Sequence, residues 1–348
     1  MAKEIGIGVI GIGMGLTLAA INRDPGSRLE VRGLCATRPD RLAAAARDWG
    51  IGFTTTDYRD LIARPDVDVI GVYSPDHLHA EHALAALRAG KHVVCTKPMV
   101  TSVEDAAEVV GLVDRTGLKF LVGQTMRFDP PFATAKRMVD DGDLGAIAWA
   151  EAHYVHDLRH VLPLTPWRLS APQDLIYGGA SHPIDLLRWF FGDVETVHGL
   201  GSKGRTMPDY PLLDNYLLNL RFGSGLIARV LGSYGVVHPP MPMMGLGVYG
   251  DRGSLRADFT DRHAGHVQYV LDKVETLPTA ELTFEPEREG AYGHGGTVVR
   301  YLRHFEDCLV HDREPSPGAR EGARTVATCA AAWESIQTGR LVSVRNDF

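Results

Sequence analysis

Along the first third of the chain, apolar runs and amphipathic segments take turns. Ile5–Ile10 predicts a strand, Leu16–Asn22 a helix, Leu29–Ala36 a strand, and Arg41–Trp49 a helix stopped at Gly50. The alternation continues through Val67–Tyr73 (strand), His79–Arg88 (helix, stopped by Gly90), His92–Cys95 (strand), Val103–Thr116 (helix, stopped by Gly117) and Lys119–Val122 (strand). These strands are continuous Val and Ile runs, which means burial on both faces and hence a parallel sheet covered by helices on either side. Glycine just past a helix end relieves the left-handed strain of the last turn, and Ser102 just before a helix offers an oxygen to an orphan N–H.

From about Phe128 the period changes. A helix is predicted over Pro130–Asp141, then Ala146–Val155 alternates as a half-buried strand, as do Tyr216–Phe222 and Leu226–Leu231. Short turns at Gly223-Ser-Gly225 and Gly250-Asp-Arg-Gly253 signal antiparallel pairing. Helices over Asp185–Phe191, Val298–Leu309 and Glu321–Thr338 suffice to cover one face of such a sheet. The expected fold is α/β: a doubly wound parallel sheet over residues 1–127, then an α+β domain with a large, mostly antiparallel, open-faced sheet over 128–348. An open face calls for a partner, and a homo-oligomer, dimer or tetramer, is the expectation. There is no internal repeat or long linker.

Composition narrows the function classes. Of 348 residues 45% are hydrophobic and 23% charged, with a net charge of −7, the profile of an ordinary globular protein. A mildly acidic chain without blocks of like charge has no electrostatic footprint for phosphate backbones, so nucleic acid is not an expected partner. No apolar run approaches the ~18 residues of a membrane span, and Met-Ala-Lys-Glu leads straight into a strand, so a cytoplasmic protein is expected. Cys35, Cys95, Cys308 and Cys329 form no CxxC pair and are read as reduced and buried. The 38 glycines and 15 histidines are what remains to be explained.

At the end of the first predicted strand stands Gly11-Ile12-Gly13-Met14-Gly15. Glycines there let the backbone turn tightly and approach a pyrophosphate seated on the following helix N-terminus. A literal GxGxxG at Gly6, Gly8 and Gly11 lies inside the strand, where it cannot face a phosphate. The second strand ought to end in an acid that hydrogen-bonds the adenosine ribose, but Ala36 occupies that place and is followed by Thr37 and Arg38, with Arg41 one turn on. A hydroxyl and cations at that point favour NADP; if Asp40 serves as the ribose acid instead, the cofactor is NAD. Ser74-Pro75 and His79 follow the next long strand, and Thr96-Lys97-Pro98 the one after, both at strand C-termini, where such sheets bind ligands. Lys97, partly desolvated, is a candidate general acid/base, Thr96 and His79 are candidate cofactor contacts, and the bond before Pro98 is expected to be cis.

Taken together, Gly8-Val-Ile-Gly-Ile-Gly-Met-Gly15, Ser74-Pro-Asp-His-Leu-His-Ala80, Ala89-Gly-Lys-His-Val-Val-Cys-Thr-Lys-Pro98, Arg127-Phe-Asp-Pro130 and Gly178-Gly-Ala-Ser-His182-Pro-Ile-Asp185-Leu-Leu-Arg-Trp189 resemble the glucose-fructose oxidoreductase, inositol dehydrogenase and rhizopine-catabolism (Gfo/Idh/MocA) family over essentially the whole chain. The resemblance implies a nicotinamide cofactor and redox chemistry on sugars or cyclitols, with Lys97 as the catalytic lysine and His182 as its partner. Two departures stand out: Thr96 replaces the family glutamate, and Gly178 stands where an aspartate is common, leaving Asp174, Tyr177 and Asp185 as nearby candidates for its role.

Ser181-His182-Pro183 reads as a helix start, where a histidine tends to stay neutral and Asp185 complements the helix dipole. His153, His156, Asp157 and His160 have the spacing of a metal box on a helix, but a strand precedes them and Pro163 and Pro166 follow, so no metal is expected. Tyr154 and Tyr177 are candidate substrate contacts, and Arg168 beside Trp167 a candidate cofactor contact. The leading expectation is an NADP-preferring sugar or cyclitol oxidoreductase. Rivals are redox-neutral glycoside cleavage or epimerisation by a tightly held cofactor, and a non-catalytic cofactor-binding sensor.

Overall fold

A computed structural model describes residues 3–171, 174–259, 265–272, 280–284 and 295–348. Two compact units are present; among the described residues the first takes 3–125, 295–323 and 348, and the second the rest. The sequence divides the chain after residue 127, whereas in the structure the division falls between Thr125 and Met126 and a later segment returns to the first unit.

Six parallel strands form the sheet of the first unit: β1 (Ile5–Ile10), β2 (Leu29–Cys35), β3 (Phe53–Thr55), β4 (Val69–Val72), β5 (His92–Thr96) and β6 (Phe120–Gly123), in the order β3-β2-β1-β4-β5-β6. Every residue of β4 and β6 is buried, as continuous apolar runs require. Helices α1 (Pro39–Trp49), α2 (Tyr58–Ile62), α3 (His79–Arg88) and α4 (Val103–Thr116) connect the later strands. The end signals work as read: Gly50 and Gly117 take φ of 68°, and Ser102 Oγ accepts the Asp105 N–H at 3.0 Å. The segment after β1, read as an α-helix, is a 3₁₀ helix over Met14–Arg23.

The second unit carries a nine-stranded sheet of β7 (Ile147–Val155), β8 (Val194–Ser202), β9 (Asn215–Phe222), β10 (Ile227–Ser233), β11 (Met244–Gly250), β12 (Gly253–Phe259), β13 (Gly265–Leu271), β14 (Ala280–Phe284) and β15 (Val342–Ser343). Its order is β14-β13-β12-β11-β7-β10-β9-β8-β15, antiparallel throughout except where β10 runs parallel to β7. Alternation sorts the two faces: in β9 Tyr216, Leu218, Leu220 and Phe222 are buried and the residues between them exposed. The buried face meets α5 (Pro130–Asp140) through Phe132, a short α6 (Trp167–Ser170) precedes the chain's return, and α7 (Ser181–Phe191) contributes Ile184 and Leu187.

Helix α8 (Gly295–Val310) is a correction to the sequence reading, which laid Val298–Leu309 on the second sheet. It packs in the first unit, where Glu306, 7% exposed, accepts from Ser27 Oγ at 2.5 Å and from the Arg28 N–H at 3.0 Å, while Arg303 Nε donates to Asp24 at 2.9 Å. An apolar helix face records that it is buried, not against which sheet. Helix α9 (Ala319–Thr338) does pack, from Arg324 onward, in the second unit through Cys329 and Ala332. The outer sheet face keeps Leu200, Leu217 and Ile227 more than half exposed, beside a Trp149–Tyr249 ring stack at 4.1 Å. The four cysteines are free and buried, and among the described residues no helix is long and apolar enough to cross a membrane.

Candidate cofactor and active site

Strand register builds one functional edge in the first unit. Ile10 lies beside Cys35 of β2 and Val72 of β4, and Val72 lies beside Cys95 of β5. Gly11, Ala36, Tyr73 and Thr96 therefore leave the sheet side by side at its C-terminal edge, where doubly wound sheets bind ligands.

The three glycines of the first turn have three different physical reasons. Gly11 has φ +97°, and a Cβ there would sit 2.3 Å from the Tyr73 carbonyl oxygen. At Gly15 a Cβ would meet Val9 at 2.8 Å and Tyr73 at 2.9 Å, so that glycine lets the helix close on the sheet. At Gly13 a built Cβ has no described residue within 4 Å. No packing demands a glycine there, and the open, exposed backbone between Ile12 and Met14 fits a bound pyrophosphate. Gly6, by contrast, sits inside β1 with its Cβ position 1.9 Å from the Asp66 carbonyl oxygen, so the literal motif match is a packing feature.

Thr37 and Arg38 are exposed beyond β2, and Arg38 reaches Asp40 at 3.6 Å with both side chains well exposed. After β4, Ser74 Oγ lies 2.8 Å from His82 Nδ1, and Pro75 precedes a short 3₁₀ turn, Asp76–Leu78. His79, only 1% exposed, has Nδ1 2.7 Å from the Pro98 carbonyl oxygen and Nε2 2.8 Å from that of Ser74. Both of its nitrogens thus face protein carbonyls. Thr96 and Lys97 are half-buried, the Lys97–Pro98 peptide is cis, and Gly123 is required beneath them, since a Cβ there would lie 2.8 Å from Thr96 Cα.

In the second unit, His182 is 6% exposed and stacks on Tyr154 at 5.6 Å and 24°. Tyr154 also meets Tyr234 at 5.6 Å, and its hydroxyl lies 3.4 Å from His156 Nδ1. A π-helical turn, Ile176–Ala180, runs directly into α7, so His182 follows helical backbone and does not sit at the free helix start that the sequence suggested. Gly179 in that turn faces Tyr234, whose Oη would be 2.3 Å from a Cβ. The turn itself uses Asp174, which accepts the Ile176 N–H at 2.9 Å, and the Tyr177 carbonyl, which accepts from Ser181 Oγ at 2.6 Å.

Asp185 has surroundings that the sequence did not show. At 1% exposure it receives Arg127 Nε at 2.8 Å and a second guanidinium nitrogen at 2.7 Å, and Thr325 Oγ1 donates to it at 3.2 Å. Both members of this pair stand in the motifs quoted above, yet nothing in their spacing announces the pairing. Arg188 extends the buried set, donating to Thr325 Oγ1 at 2.8 Å and to Asp193 at 2.7 Å, with burial drawing its pKa down. Arg168, read as a cofactor contact, has its guanidinium over the Trp167 ring at 4.7 Å.

The histidine-rich segment does not keep helical spacing. His153 belongs to β7 and sits 3.0 Å from the Pro242 carbonyl oxygen. Asp157 and His160 do approach His238, with ligand atoms within 4.8 Å of one another, but the Asp157 carboxylate is clasped by Arg159 at 2.8 and 2.6 Å, which holds its pKa well below the usual range.

Comparison with known proteins agrees with this architecture. Residues 5–124 match the oxidoreductase family with an NAD-binding Rossmann fold, and residues 132–256 match the GFO/IDH/MocA C-terminal domain. Levoglucosan dehydrogenase from Pseudarthrobacter phenanthrenivorans is 26% identical, covering 98% of this chain and 97% of its own. Inositol 2-dehydrogenase 3 from Saccharopolyspora erythraea is 28% identical over 97% and 95% of the two chains. A solved levoglucosan dehydrogenase in complex with NADH superposes with a TM-score of 0.87 at 24% identity, covering 98% of this chain and 99% of that one, a likeness of fold. With the two family domains matched in order over residues 5–124 and 132–256, this protein belongs to the Gfo/Idh/MocA family of NAD-binding oxidoreductases.

Proposed function

We propose that the protein transfers a hydride between a nicotinamide cofactor and a hydroxyl or keto carbon of a sugar, sugar derivative or cyclitol. The observation that carries this reading is Gly13: a glycine that packing among the described residues does not need, at the same C-terminal edge of the parallel sheet as Lys97, two strands away. Gly11, Ile12, Gly13, Met14 and Gly15 would hold the pyrophosphate, and Ser74, Pro75 and Thr96 would line the nicotinamide side. When bound, the nicotinamide supplies the hydride acceptor or donor. Lys97 takes the hydroxyl proton from the substrate, or returns it in the reverse direction, and His182 is the second proton-handling residue of this reading. Tyr154 gives His182 a flat face to rest on and Tyr177 lies one turn before it. Names of relatives that act on levoglucosan and inositol support the polyol class.

Asp185 belongs to the frame in this reading, because its oxygens are occupied by Arg127 and Thr325. For the cofactor we favour NADP, with NAD as the alternative: Ala36 leaves no acid to repel a 2′-phosphate, and Arg38 is exposed, with an exposed Asp40 at 3.6 Å as its ion-pair partner among the described residues. The outer sheet face, with Leu200, Leu217 and Ile227 exposed around a Glu151–Arg229 pair at 2.6 Å, suits a second copy of the chain.

The test is turnover on a panel of sugars and cyclitols with each cofactor, for the native chain, Lys97→Ala and Arg38→Ala. The expected result is a loss of about 10²–10⁴ in kcat for Lys97→Ala with cofactor binding kept, and loss of the NADP preference in Arg38→Ala. Native kcat in Lys97→Ala would overturn the role of Lys97, and a native preference for NAD would overturn the cofactor choice.

A further inference from the structure

We propose that His79 is a positioning residue: through an Nδ1–H bond to the Pro98 carbonyl it fixes the loop that carries Lys97. The inference rests on Lys97 being the proton-handling lysine. His79 opens α3 at 1% exposure, and its two ring nitrogens lie 2.7 Å from the Pro98 oxygen and 2.8 Å from the Ser74 oxygen. Both partners are acceptors without a hydrogen, whereas a neutral imidazole has a single N–H. A second ring proton would be a buried cation at a helix N-terminus, opposed by desolvation and by the dipole, and burial indeed draws the pKa of this histidine down. Only one of the two contacts is then a full hydrogen bond.

Solvent access decides which. Pro98 is buried, and its carbonyl would be left unpaired away from water if Nδ1 gave it nothing, a cost larger than the net worth of an ordinary hydrogen bond. Ser74 is half-buried and its carbonyl has water as an alternative. The proton therefore sits on Nδ1. Since Pro98 directly follows Lys97, the bond holds the peptide unit next to the lysine. The same loop is pressed from below at Thr96 by Gly123 and tied at Met99, whose carbonyl accepts from Cys95 Sγ at 3.4 Å. His79 reaches across to this loop from the start of α3, after the neighbouring strand β4. A lysine whose base is allowed to drift by about 1 Å loses about 10²-fold in rate.

Asparagine and glutamine separate the two contacts, because the Asn amide nitrogen replaces Nδ1 and the Gln amide nitrogen replaces Nε2. His79→Asn, His79→Gln, His79→Ala and Lys97→Met should be compared in kcat, KM and cofactor Kd, with melting curves to confirm folding. We expect His79→Asn to keep most of the kcat, and His79→Gln to lose about 10²-fold in kcat at little-changed KM and Kd. The imidazole nitrogen spectrum of the cofactor-free native chain should show His79 protonated on Nδ1 and bare on Nε2 at neutral pH. A proton on Nε2, or His79→Gln as active as His79→Asn while Lys97→Met is dead, would overturn the inference alone. Native kcat in Lys97→Met would overturn the reading it rests on, and the positioning role with it.

Discussion

Asp185→Asn is the substitution that separates the frame from the chemistry. The aspartate side chain is 2% exposed and that of Arg127 is 3% exposed, so both charges are desolvated and neither has water to fall back on. Removing one partner of a buried pair typically costs about 3–5 kcal/mol, because the other charge is left uncompensated. Arg188, buried one helical turn away, is stabilised as a cation by the same carboxylate and would suffer too. Asparagine keeps one oxygen for Thr325, which places the expected loss near the low end, about 3 kcal/mol. At roughly 2–4 °C per kcal/mol for a unit of this size, the melting transition of the second unit should fall by about 6–12 °C. Calorimetry reads the transition, and kcat measured well below it reads the chemistry. Per folded molecule, kcat should stay within a few-fold of native. The double variant Arg127→Met with Asp185→Leu should recover much of the loss, since well-packed apolar groups often replace buried ion pairs without penalty. A native melting temperature together with a collapsed kcat would refute the reasoning and return Asp185 to the catalytic group.

Three further outcomes follow from the geometry. Gly13→Ala should leave the melting temperature unchanged and weaken cofactor binding, while Gly15→Ala should cost about 1–3 kcal/mol of stability by overpacking against Val9 and Tyr73; equal thermal losses in both would contradict the division of roles. Burial holds His79, His82, His92 and His153 below the usual histidine pKa, so below about pH 6.5 the unfolded chain binds more protons than the folded one. Stability should be whole above that value and decline as pH falls from it toward the lowered folded values, by up to about 1.4 kcal/mol per pH unit for each histidine; urea unfolding at about pH 7.5 and about pH 5.5 checks the sign. Ile227→Lys on the outer sheet face should lower the mass seen by light scattering if two copies meet there, and an unchanged mass would rule that face out as the interface.

What could be read from the chain was local. Gly50, Gly117 and Ser102 mark their helix ends through their own backbone and side chain, and Gly11, Gly13 and Gly15 declare a turn because a strand stands before them. What could not be read was pairing at a distance. The apolar face of α8 looked the same whichever sheet it covered, and the Glu306–Ser27 bond that fixes its place joins residues remote in sequence. Arg127 and Asp185 were visible as motif members, but not as partners. The histidine spacing from His153 to His160 suggested a ligand set only on the assumption of a helix, which β7 excludes. His238, which does approach Asp157 and His160, enters from a separate loop after β10.

The five-residue π turn before α7 has a consequence for how this chain tolerates change in length. A π turn is an α-helix with one residue too many, and each residue in an α-helix turns the chain by about 100°. Deleting either Gly178 or Gly179 would let Ile176–Ala180 relax into ordinary helix, at little cost in backbone bonding. His182 would then be shifted by a fraction of a turn relative to everything upstream, changing how it lies on the face of Tyr154. The surplus residue sets the bearing of the imidazole, so a one-residue deletion here should cost the enzyme its aim before its fold.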